Sequence, residues 1–310
     1  MKVIIVDKVM TDKQIEAYEG KEIKRSMITL ILTEDTDVYT KDNLLLCRFR
    51  KNVLNEKKVK DFFDNVIKFA MNVTTNRGTT SGQKKTKKNV KDNPKIMANI
   101  LGYMDGFSPS QKFSMKRQNI YPKINVRESR FNIDYHDNWK KAYPMLKQID
   151  SLYKKIVPTY YKKQRQKADQ THYKIRDTAF TTITTNVNFK TRLHKDRGDD
   201  DEGFGNLVVI EDGKYEGSET CFPQYGFGVD VRQNDILFMN VHEWHANLPM
   251  KPANKTVRRL SVVCYLRMNV WKITKGIDKE VLREHDKQVR LLGKHSDRHM
   301  SSREAKSLAR

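Results

Sequence analysis

The chain has 310 residues, with 60 Lys or Arg against 38 Asp or Glu, so its formal net charge at pH 7 is +22. That length allows one large hydrophobic core, or one domain with additions. The charge favours a polyanion such as nucleic acid as partner over a neutral small molecule. A soluble protein that is merely basic is the alternative.

The cysteines and the apolar runs indicate where such a protein works. Cys47, Cys221 and Cys264 are far apart and form no CxxC pair, which argues against a disulfide framework or a zinc knuckle and suits a reducing compartment. No apolar run is long enough to cross a bilayer, and the first residues are typical of a strand rather than a signal peptide. We therefore expect a cytoplasmic protein, or a nuclear one in a eukaryotic host, that is neither secreted nor membrane-spanning.

Residues 1–125 are predicted to form an N-terminal α/β region that is part of the catalytic unit. Met1–Val6 and Met27–Leu32 are predicted strands, and Lys57–Met71 has the apolar spacing of a helix. The polar, basic stretch 72–95 follows, and its glycines predict a loop. We expect this loop to contact nucleic acid through its cations, with a solvated loop as the alternative. The candidate contacts are Arg77, Lys84 and Lys85.

Residues 126–272 are predicted to contain a helix and then a β-rich core. Apolar residues from Trp139 to Ile156 recur at spacings of three and four, which predicts a helix that ends near Pro158. Short β segments separated by turn clusters follow and predict a sandwich or barrel. Residues 273–310 are predicted to form a basic helical tail. The predicted strands are Phe180–Phe189, Asn206–Glu211, Gly226–Val231, Asp235–Asn240 and Arg259–Arg267.

His194 and Asp196 come just after the first of these strands. Residues two apart in a strand point to the same face, so the imidazole and the carboxylate can converge on one ion. One further His would complete the set of two His and one carboxylate that is typical of non-haem Fe(II) oxygenases. His245 is the predicted third ligand, since it is flanked by Trp244 and leads into a turn, and His242 is the alternative.

Arg259 and Ser261 begin the last predicted strand and should share a face, with Arg258 pointing outward. A guanidinium with a nearby hydroxyl suits bidentate binding of a carboxylate. A buried Arg requires such an anion, and the distal carboxylate of 2-oxoglutarate fits that role. The order of HxD, β hairpins, a His and then RxS indicates a double-stranded β-helix, and hence an α+β fold.

The block Tyr173–Arg267 resembles the TET/JBP family of iron- and 2-oxoglutarate-dependent DNA oxygenases. The resemblance is carried by RDTAFTTITTNVN, LHKDRGDDDEGFGNLVVI, CFPQYGFGVDVRQNDILFMNVHEWHANLP and RRLSVVCYLR. It implies a jelly-roll core with flanking helices, Fe(II) held by His194, Asp196 and His245, and 2-oxoglutarate, a cosubstrate with O2, held by Arg259.

The same resemblance implies hydroxylation of the C5-methyl group of a DNA pyrimidine. We expect 5-methylcytosine as the substrate, with thymine, RNA or a protein side chain as alternatives. AlkB-like demethylation is disfavoured because position 265 is Tyr where that class has a second Arg. A non-catalytic DNA-binding module is a further alternative. The expected partner is DNA, and the sequence indicates no obligate protein partner.

Several side chains near these motifs are candidates for contact with the base. Asn188 or Asn247 would bond to the pyrimidine edge or the cosubstrate, with turn capping as the alternative. Phe222, Tyr225 and Phe227 would form walls of the base pocket, with core packing as the alternative for at least one of them. The acidic run Asp199–Glu202 is expected to be a solvated turn that repels phosphate.

Overall fold

The computed structural model describes residues 1–74, 78–81, 94–107 and 109–292. Arg77, Lys84 and Lys85 therefore lie outside the described residues. The helices of the described part are α1 (Asp12–Glu16), α2 (Glu56–Ala70), α3 (Pro109–Gln118), α4 (Arg130–Asp134), α5 (His136–Ile156), α6 (Pro158–Ala168), α7 (Met268–Thr274) and α8 (Lys279–Leu291). Three-residue or four-residue 3-10 helices lie at Arg25–Met27, Gly78–Ser81 and Pro223–Tyr225.

The strands of the described part belong to two main sheets and one short ribbon. They are β1 (Lys2–Val6), β2 (Leu30–Leu32), β3 (Thr36–Thr40), β4 (Leu45–Arg50), β5 (Met97–Asp105), β6 (Val126–Glu128), β7 (Thr182–Val187), β8 (Gly205–Asp212), β9 (Tyr215–Gly217), β10 (Thr220–Phe222), β11 (Phe227–Val229), β12 (Ile236–Met239), β13 (Ala246–Asn247), β14 (Met250–Pro252) and β15 (Arg258–Tyr265). The larger sheet has the order β1-β3-β4-β12-β8-β15-β7-β5-β6, and the smaller has the order β13-β10-β11-β2. The expected α+β class is confirmed.

Strand β15 shows how the larger sheet separates two environments. Leu260, Val262 and Cys264 are buried in the hydrophobic core that the sheet shares with α2 and α5. The alternate residues from Arg259 to Tyr265 line a cavity on the other face. Because successive side chains of a strand point to opposite faces, one strand serves both the core and the cavity.

The helix layer follows from the apolar stripes seen in the sequence. The buried residues of α5 include Leu146, Ile149 and Tyr153, and those of α2 include Phe62 and Val66. These two stripes pack together against the larger sheet. Helix α6 begins at Pro158, a position where the missing N–H costs nothing, and it packs on the core through its buried residues Tyr161, Gln164 and Ala168.

The three cysteines are buried free thiols. Burial raises the pKa of each thiol well above its ordinary value. The thiols therefore stay protonated and unreactive at neutral pH. None of the helices in the described residues is both long and apolar enough to span a membrane.

Helix α8 packs on β6 through a buried cluster of ionisable groups. The His285 Nε2 atom lies 2.6 Å from the Val126 carbonyl oxygen, and the Tyr173 hydroxyl donates to Asp286 Oδ1 at 2.5 Å. Burial, with a smaller contribution from Asp286, raises the pKa of Glu128 from 4.5 to about 7. The folded protein therefore retains a proton on Glu128 over a pH range in which the unfolded chain has lost it.

Glu128→Gln is expected to flatten the pH dependence of stability. A carboxyl group whose pKa is raised on folding favours the folded state at low pH, so the free energy of unfolding falls as pH rises from 4.5 towards 7. We expect the wild type to lose about 1–3 kcal/mol over this window through Glu128, and the variant to keep it. Denaturant unfolding at pH 5 and pH 8 measures this. Glu280→Gln, on the exposed side of α8, is the control; equal slopes for Glu128→Gln and the wild type would contradict the prediction.

Candidate metal centre

Two imidazoles and one carboxylate meet at one point of the structure. The ligand atoms of His194, Asp196 and His245 all lie within 4.8 Å of one another. The His194 Nε2 atom is 3.5 Å from Asp196 Oδ1, and the His245 Nε2 atom is 3.6 Å from Asp196 Oδ2. These separations leave a common position between the three side chains where one ion can be bound.

Backbone hydrogen bonds between distant segments hold the three residues in place. The His194 N–H donates to the His245 carbonyl at 3.1 Å, and the His245 N–H donates back to the His194 carbonyl at 3.0 Å. The Asp196 N–H donates to the Val241 carbonyl at 2.9 Å. The ligand geometry therefore depends on pairing between the segment after β7 and the segment after β12.

The outer nitrogen of each imidazole faces a backbone carbonyl. The His194 Nδ1 atom lies 2.7 Å from the Arg192 carbonyl oxygen, and the His245 Nδ1 atom lies 2.9 Å from that of Glu243. A carbonyl only accepts, so each Nδ1 carries a hydrogen, and in the neutral imidazole the Nε2 lone pair is then directed at the common position. This is the tautomer that a metal ligand needs.

His242, the alternative third ligand, is turned away from this position. Its Nε2 atom lies 3.2 Å from the Asp200 carbonyl oxygen, and its backbone N–H is bonded to Asn240 Oδ1 at 3.1 Å. The Nε2 atom of His242 thus contacts the backbone of the turn at Asp200 instead of the common position. The geometry supports His245 as the third ligand.

The triad opens into a cavity of about 130 Å³ between the two sheets. Its walls combine apolar side chains with hydroxyl, amide and charged groups. Arg259 and Ser261 line it from β15, as the sequence predicts, while Arg258 donates to the backbone carbonyls of Lys255 and Val257. The other lining residues are Thr80, Thr184, Asn186, Phe189, Thr191, Asp199, Leu207, Thr220, Met239, Val241, Asn247, Val263, Tyr265 and Arg267.

Arg259 is a buried cation whose hydrogen bonds are incomplete. Its side chain is 3% exposed, Nη2 donates to the Ser218 carbonyl at 3.3 Å, and Nε is buried without a hydrogen-bond partner. Within the described part of the chain, no ion pair includes Arg259. A buried charge of this kind requires an anion, and a planar carboxylate matches its fork of donors. The donor set therefore fits the distal carboxylate of 2-oxoglutarate.

Asn247 and Asn188, the two candidate amides, lie in different places. Asn247 lines the cavity, accepts a hydrogen bond from the Thr191 hydroxyl at 2.6 Å and donates to Thr220 Oγ1 at 3.2 Å. Asn188 does not line the cavity. Its amide accepts from the Arg259 N–H at 2.7 Å and donates to the Val257 carbonyl at 2.8 Å. Asn188 thus binds the end of β7 to the backbone at the start of β15, which is neither the contact with base or cosubstrate nor the turn capping considered for it.

The three aromatic candidates are packed in the core rather than on the cavity wall. Phe222 is fully buried and stacks on Phe227 with ring centroids 4.8 Å apart. Tyr225 is buried, and its hydroxyl donates to Glu243 Oε2 at 3.0 Å. All three belong to the apolar cluster between the sheets, so they support the ligand-bearing segments from behind.

The expectation of a solvated turn at Asp199–Glu202 is wrong for its first half. Asp199 is 8% exposed and lines the cavity, and Asp200 is 2% exposed and forms an ion pair with Lys167 at 2.5 Å. Asp201 and Glu202 are exposed as expected. The difference arises because helix α6 supplies a cation to this turn, which a local reading of four acidic residues does not show.

Arg267 and Thr80 line the cavity although sequence reasoning did not select them. The Arg267 guanidinium donates to Asp105 in β5 and packs against Gly198, where a Cβ atom would lie 2.7 Å from Nη1. Thr80 reaches the cavity because its carbonyl accepts from the Arg192 N–H at 2.9 Å. Both positions depend on contacts between distant segments, so no local pattern could have identified them.

Two histidines, one carboxylate and a cationic anchor in one pocket form the arrangement that is typical of mononuclear non-haem oxygenases. Residues 117–268 match the Tet_JBP family model, described as the oxygenase domain of the 2OGFeDO superfamily. This segment therefore belongs to the Tet/JBP family of oxygenase domains. The superfamily uses Fe(II) and 2-oxoglutarate, and the triad and the incompletely hydrogen-bonded Arg259 fit that pair.

Named relatives and one solved structure agree with this family. Thymine dioxygenase JBP1 of Trypanosoma brucei brucei is 32% identical over 147 residues, which are 47% of this chain and 17% of that protein. The bifunctional helicase and thymine dioxygenase JBP2 of Trypanosoma cruzi is 34% identical over 194 residues, which are 61% of this chain and 16% of that protein. The chain thus spans about a sixth of the length of these relatives.

The solved structure extends the similarity in fold beyond the matched segment. NgTET1, solved in complex with 5mC DNA, superposes with a TM-score of 0.53 at 12% identity and covers 92% of this chain and 90% of its own. At that identity the likeness concerns the fold. It includes most of the N-terminal region that the family model does not match.

Proposed function

We propose that the protein is a dioxygenase that uses Fe(II) and 2-oxoglutarate to hydroxylate the C5-methyl group of a DNA pyrimidine. The observation that carries the proposal is a single cavity that holds both the triad and Arg259, a buried cation whose Nε has no hydrogen-bond partner. When bound, Fe(II), 2-oxoglutarate and O2 supply an oxidant for an unactivated C–H bond.

The protein's own residues bind and orient the reactants. His194, Asp196 and His245 would hold the metal on one side and leave the side towards the cavity open. Arg259 and Ser261 would fix the distal carboxylate of 2-oxoglutarate by charge-assisted hydrogen bonds. The apolar side chains among the lining residues offer a surface for a methyl group. They are Leu207, Met239, Val241 and Val263.

DNA as the substrate is consistent with the charge and with the enclosure of the site. His194 and His245 are each 7% exposed, so a methyl group within a stacked duplex cannot reach the common position. The base must be extruded into the cavity, as in other enzymes that modify bases. A net charge of +22 favours the phosphate contacts that extrusion needs. We propose the cytoplasm, or the nucleus of a eukaryotic host, as its compartment, since either gives access to DNA.

We also propose that residues 1–125 form part of the same catalytic unit as 126–272. Strand β2 pairs in parallel with β11, and β4 pairs with β12, so both sheets include N-terminal strands. Thr80 lines the cavity itself. That residues 273–310 form a basic helical tail is a separate proposal. The described part of this tail, residues 273–292, contains helix α8.

The choice between 5-methylcytosine and thymine is open to a direct test. We expect 5-methylcytosine, whereas the sequence relatives that share about a third of the aligned residues are named thymine dioxygenases. Thymine is therefore the second candidate. Both bases present the same methyl group and differ at position 4, where cytosine has an amino group and thymine a carbonyl oxygen.

Mass spectrometry of nucleosides should detect the product. The protein is incubated with Fe(II), 2-oxoglutarate and two duplexes of the same sequence, one with 5-methylcytosine and one with cytosine. We expect a 5-hydroxymethyl pyrimidine that depends on both additions, as 5-hydroxymethylcytosine from the methylated duplex or as 5-hydroxymethyluracil from either. RNA of the same sequence and a histone peptide are the comparison substrates. No oxidised nucleoside, with metal and cosubstrate shown to bind, would refute the proposal and leave the non-catalytic alternative.

A further inference from the structure

The segment that carries His194 and Asp196 has a second face made of cations. The cavity is lined by Phe189, Thr191, His194 and Asp196 of this segment. The cations that lie between or beside them in the sequence do not line it; these are Lys190, Arg192, Lys195 and Arg197. Of these side chains, Lys190 is 30% exposed, Arg192 36% and Arg197 66%. The cations therefore lie on the outer side of the cavity wall, and we call them the rim cations.

Two acidic residues from the N-terminal region form ion pairs with three of the four rim cations. Glu22 forms ion pairs with Lys190 at 2.6 Å and with Arg192 at 3.8 Å. Glu19 forms an ion pair with Arg197 at 3.4 Å. The remaining rim cation, Lys195, has its ammonium 5.1 Å from the Trp244 ring centroid. Three of the four rim cations thus already bind carboxylates.

These ion pairs are not what joins the two segments. The Gly20 N–H donates to the Leu193 carbonyl at 2.8 Å, and the Leu193 N–H donates to the Lys21 carbonyl at 3.0 Å. Ile23, next to Glu22, is buried in an apolar cluster with Leu193. Exposed ion pairs contribute little to stability, so the carboxylates can be exchanged while the backbone bonds and the apolar contact remain.

We propose that the rim cations bind the DNA phosphates beside the extruded base, and that Glu19 and Glu22 are intramolecular competitors which those phosphates displace. The inference rests on the proposed function, in which DNA is the substrate. A base in the cavity leaves its phosphates outside the wall, on the side where the rim cations lie. Arg192 and Arg197 can bind a phosphate through the same fork of donors that they offer a carboxylate.

The exchange has a measurable electrostatic signature. Free cations that bind phosphate release condensed counterions from DNA, so affinity falls steeply with salt. When a phosphate replaces a carboxylate on the same cation, the displaced carboxylate must itself be neutralised, and fewer ions are released overall. The competitors should therefore weaken DNA binding and flatten its salt dependence.

Fluorescence anisotropy with a labelled duplex, without metal or 2-oxoglutarate, tests this. We expect Glu19→Gln with Glu22→Gln to tighten binding by about 3–10-fold at low salt and to steepen the salt dependence. The matched control is Asp61→Asn, which removes a carboxylate from an exposed pair with Lys57 on α2, in the helix layer. It should change affinity by less than about twofold.

The converse variant removes the cations. Lys190→Gln with Arg192→Gln should weaken binding and lower the slope of log affinity against log salt, but by less than the roughly 1.8 expected for two unpaired cations, because the displaced Glu22 carboxylate takes up counterions. Lys57→Gln is its control. Thermal unfolding of each variant shows whether the fold is retained.

Three results would overturn the inference. They are an acidic double variant that binds no tighter than Asp61→Asn, one that binds more weakly, and a basic double variant that binds like the wild type. Because binding is measured without turnover, the two proposals can fail separately. If the rim variants change DNA affinity but the protein forms no oxidised base, this inference is retained and only the proposed function is refuted. If the protein forms the oxidised base normally but the rim variants bind DNA with unchanged affinity, the proposed function is retained and this inference is refuted.

Discussion

His245→Ala is expected to abolish metal binding and turnover, while His242→Ala, three residues away, is expected to retain both. His245 directs its Nε2 at the common ligand position, whereas His242 has its Nε2 on the Asp200 carbonyl. Loss of a direct ligand should cost more than the 10–100-fold typical of an outer-shell partner, so we expect turnover to fall by more than about 100-fold. Metal content after loading with Fe(II), and product formation, measure the two effects.

The pair of variants also separates the metal centre from DNA binding. None of the three ligand side chains belongs to the rim cations, so His245→Ala and His194→Ala should bind a duplex about as well as the wild type. Iron retained by His245→Ala but lost by His242→Ala would show that the ligand assignment is wrong. Weaker DNA binding in both His245→Ala and His242→Ala would instead indicate that the loop after β12, which contains both residues, contacts nucleic acid.

Arg259→Ala should raise the KM for 2-oxoglutarate by about 100-fold or more, because truncating one partner of a buried charge pair costs roughly 3–5 kcal/mol. Arg259→Lys should rescue only part of the loss, since an ammonium cannot reproduce two parallel hydrogen bonds. Initial rates at varied 2-oxoglutarate measure the change. Metal binding should persist, because Arg259 is not a ligand.

The neighbouring arginine is the control for this change. Arg258→Ala removes the same charge one residue earlier, where the guanidinium donates to the Lys255 and Val257 carbonyls outside the cavity. We expect its KM for 2-oxoglutarate to stay within about threefold of the wild type, as for surface substitutions in general. Equal changes in KM for the two variants would remove the cosubstrate role from Arg259.

Elements with a strong local period could be predicted from the sequence. The predicted helix Lys57–Met71 is α2 (Glu56–Ala70), and the stripe from Trp139 to Ile156 is α5. The predicted strands of the core match β7, β8, β11, β12 and β15 to within a few residues. Strands β3, β4 and β5 were not predicted. β4, for example, pairs with β12 nearly 190 residues later, and that contact leaves no local pattern.

The site could be predicted only where its residues carry their own chemistry. Few functions require two His, one Asp and then an Arg two positions before a Ser, in that order along the chain. The structure brings all five residues into one cavity. Asn188 and Tyr225 carry generic polar groups, and their roles were decided by backbone partners and by Glu243. Asp199 and Arg267 could not be assigned because each needs a distant segment to reach the cavity.

Because the residues of β15 face the core and the cavity alternately, the register of this strand matters more than the identity of any one of its side chains. Insertion or deletion of a single residue before Arg259 would reverse the two faces, placing the guanidinium among the helix-packed residues and Leu260 in the cavity. The apolar positions would tolerate exchange among Leu, Ile and Val at modest cost. Variation in this strand should therefore consist of substitutions, whereas changes in length are confined to the turns on either side of it.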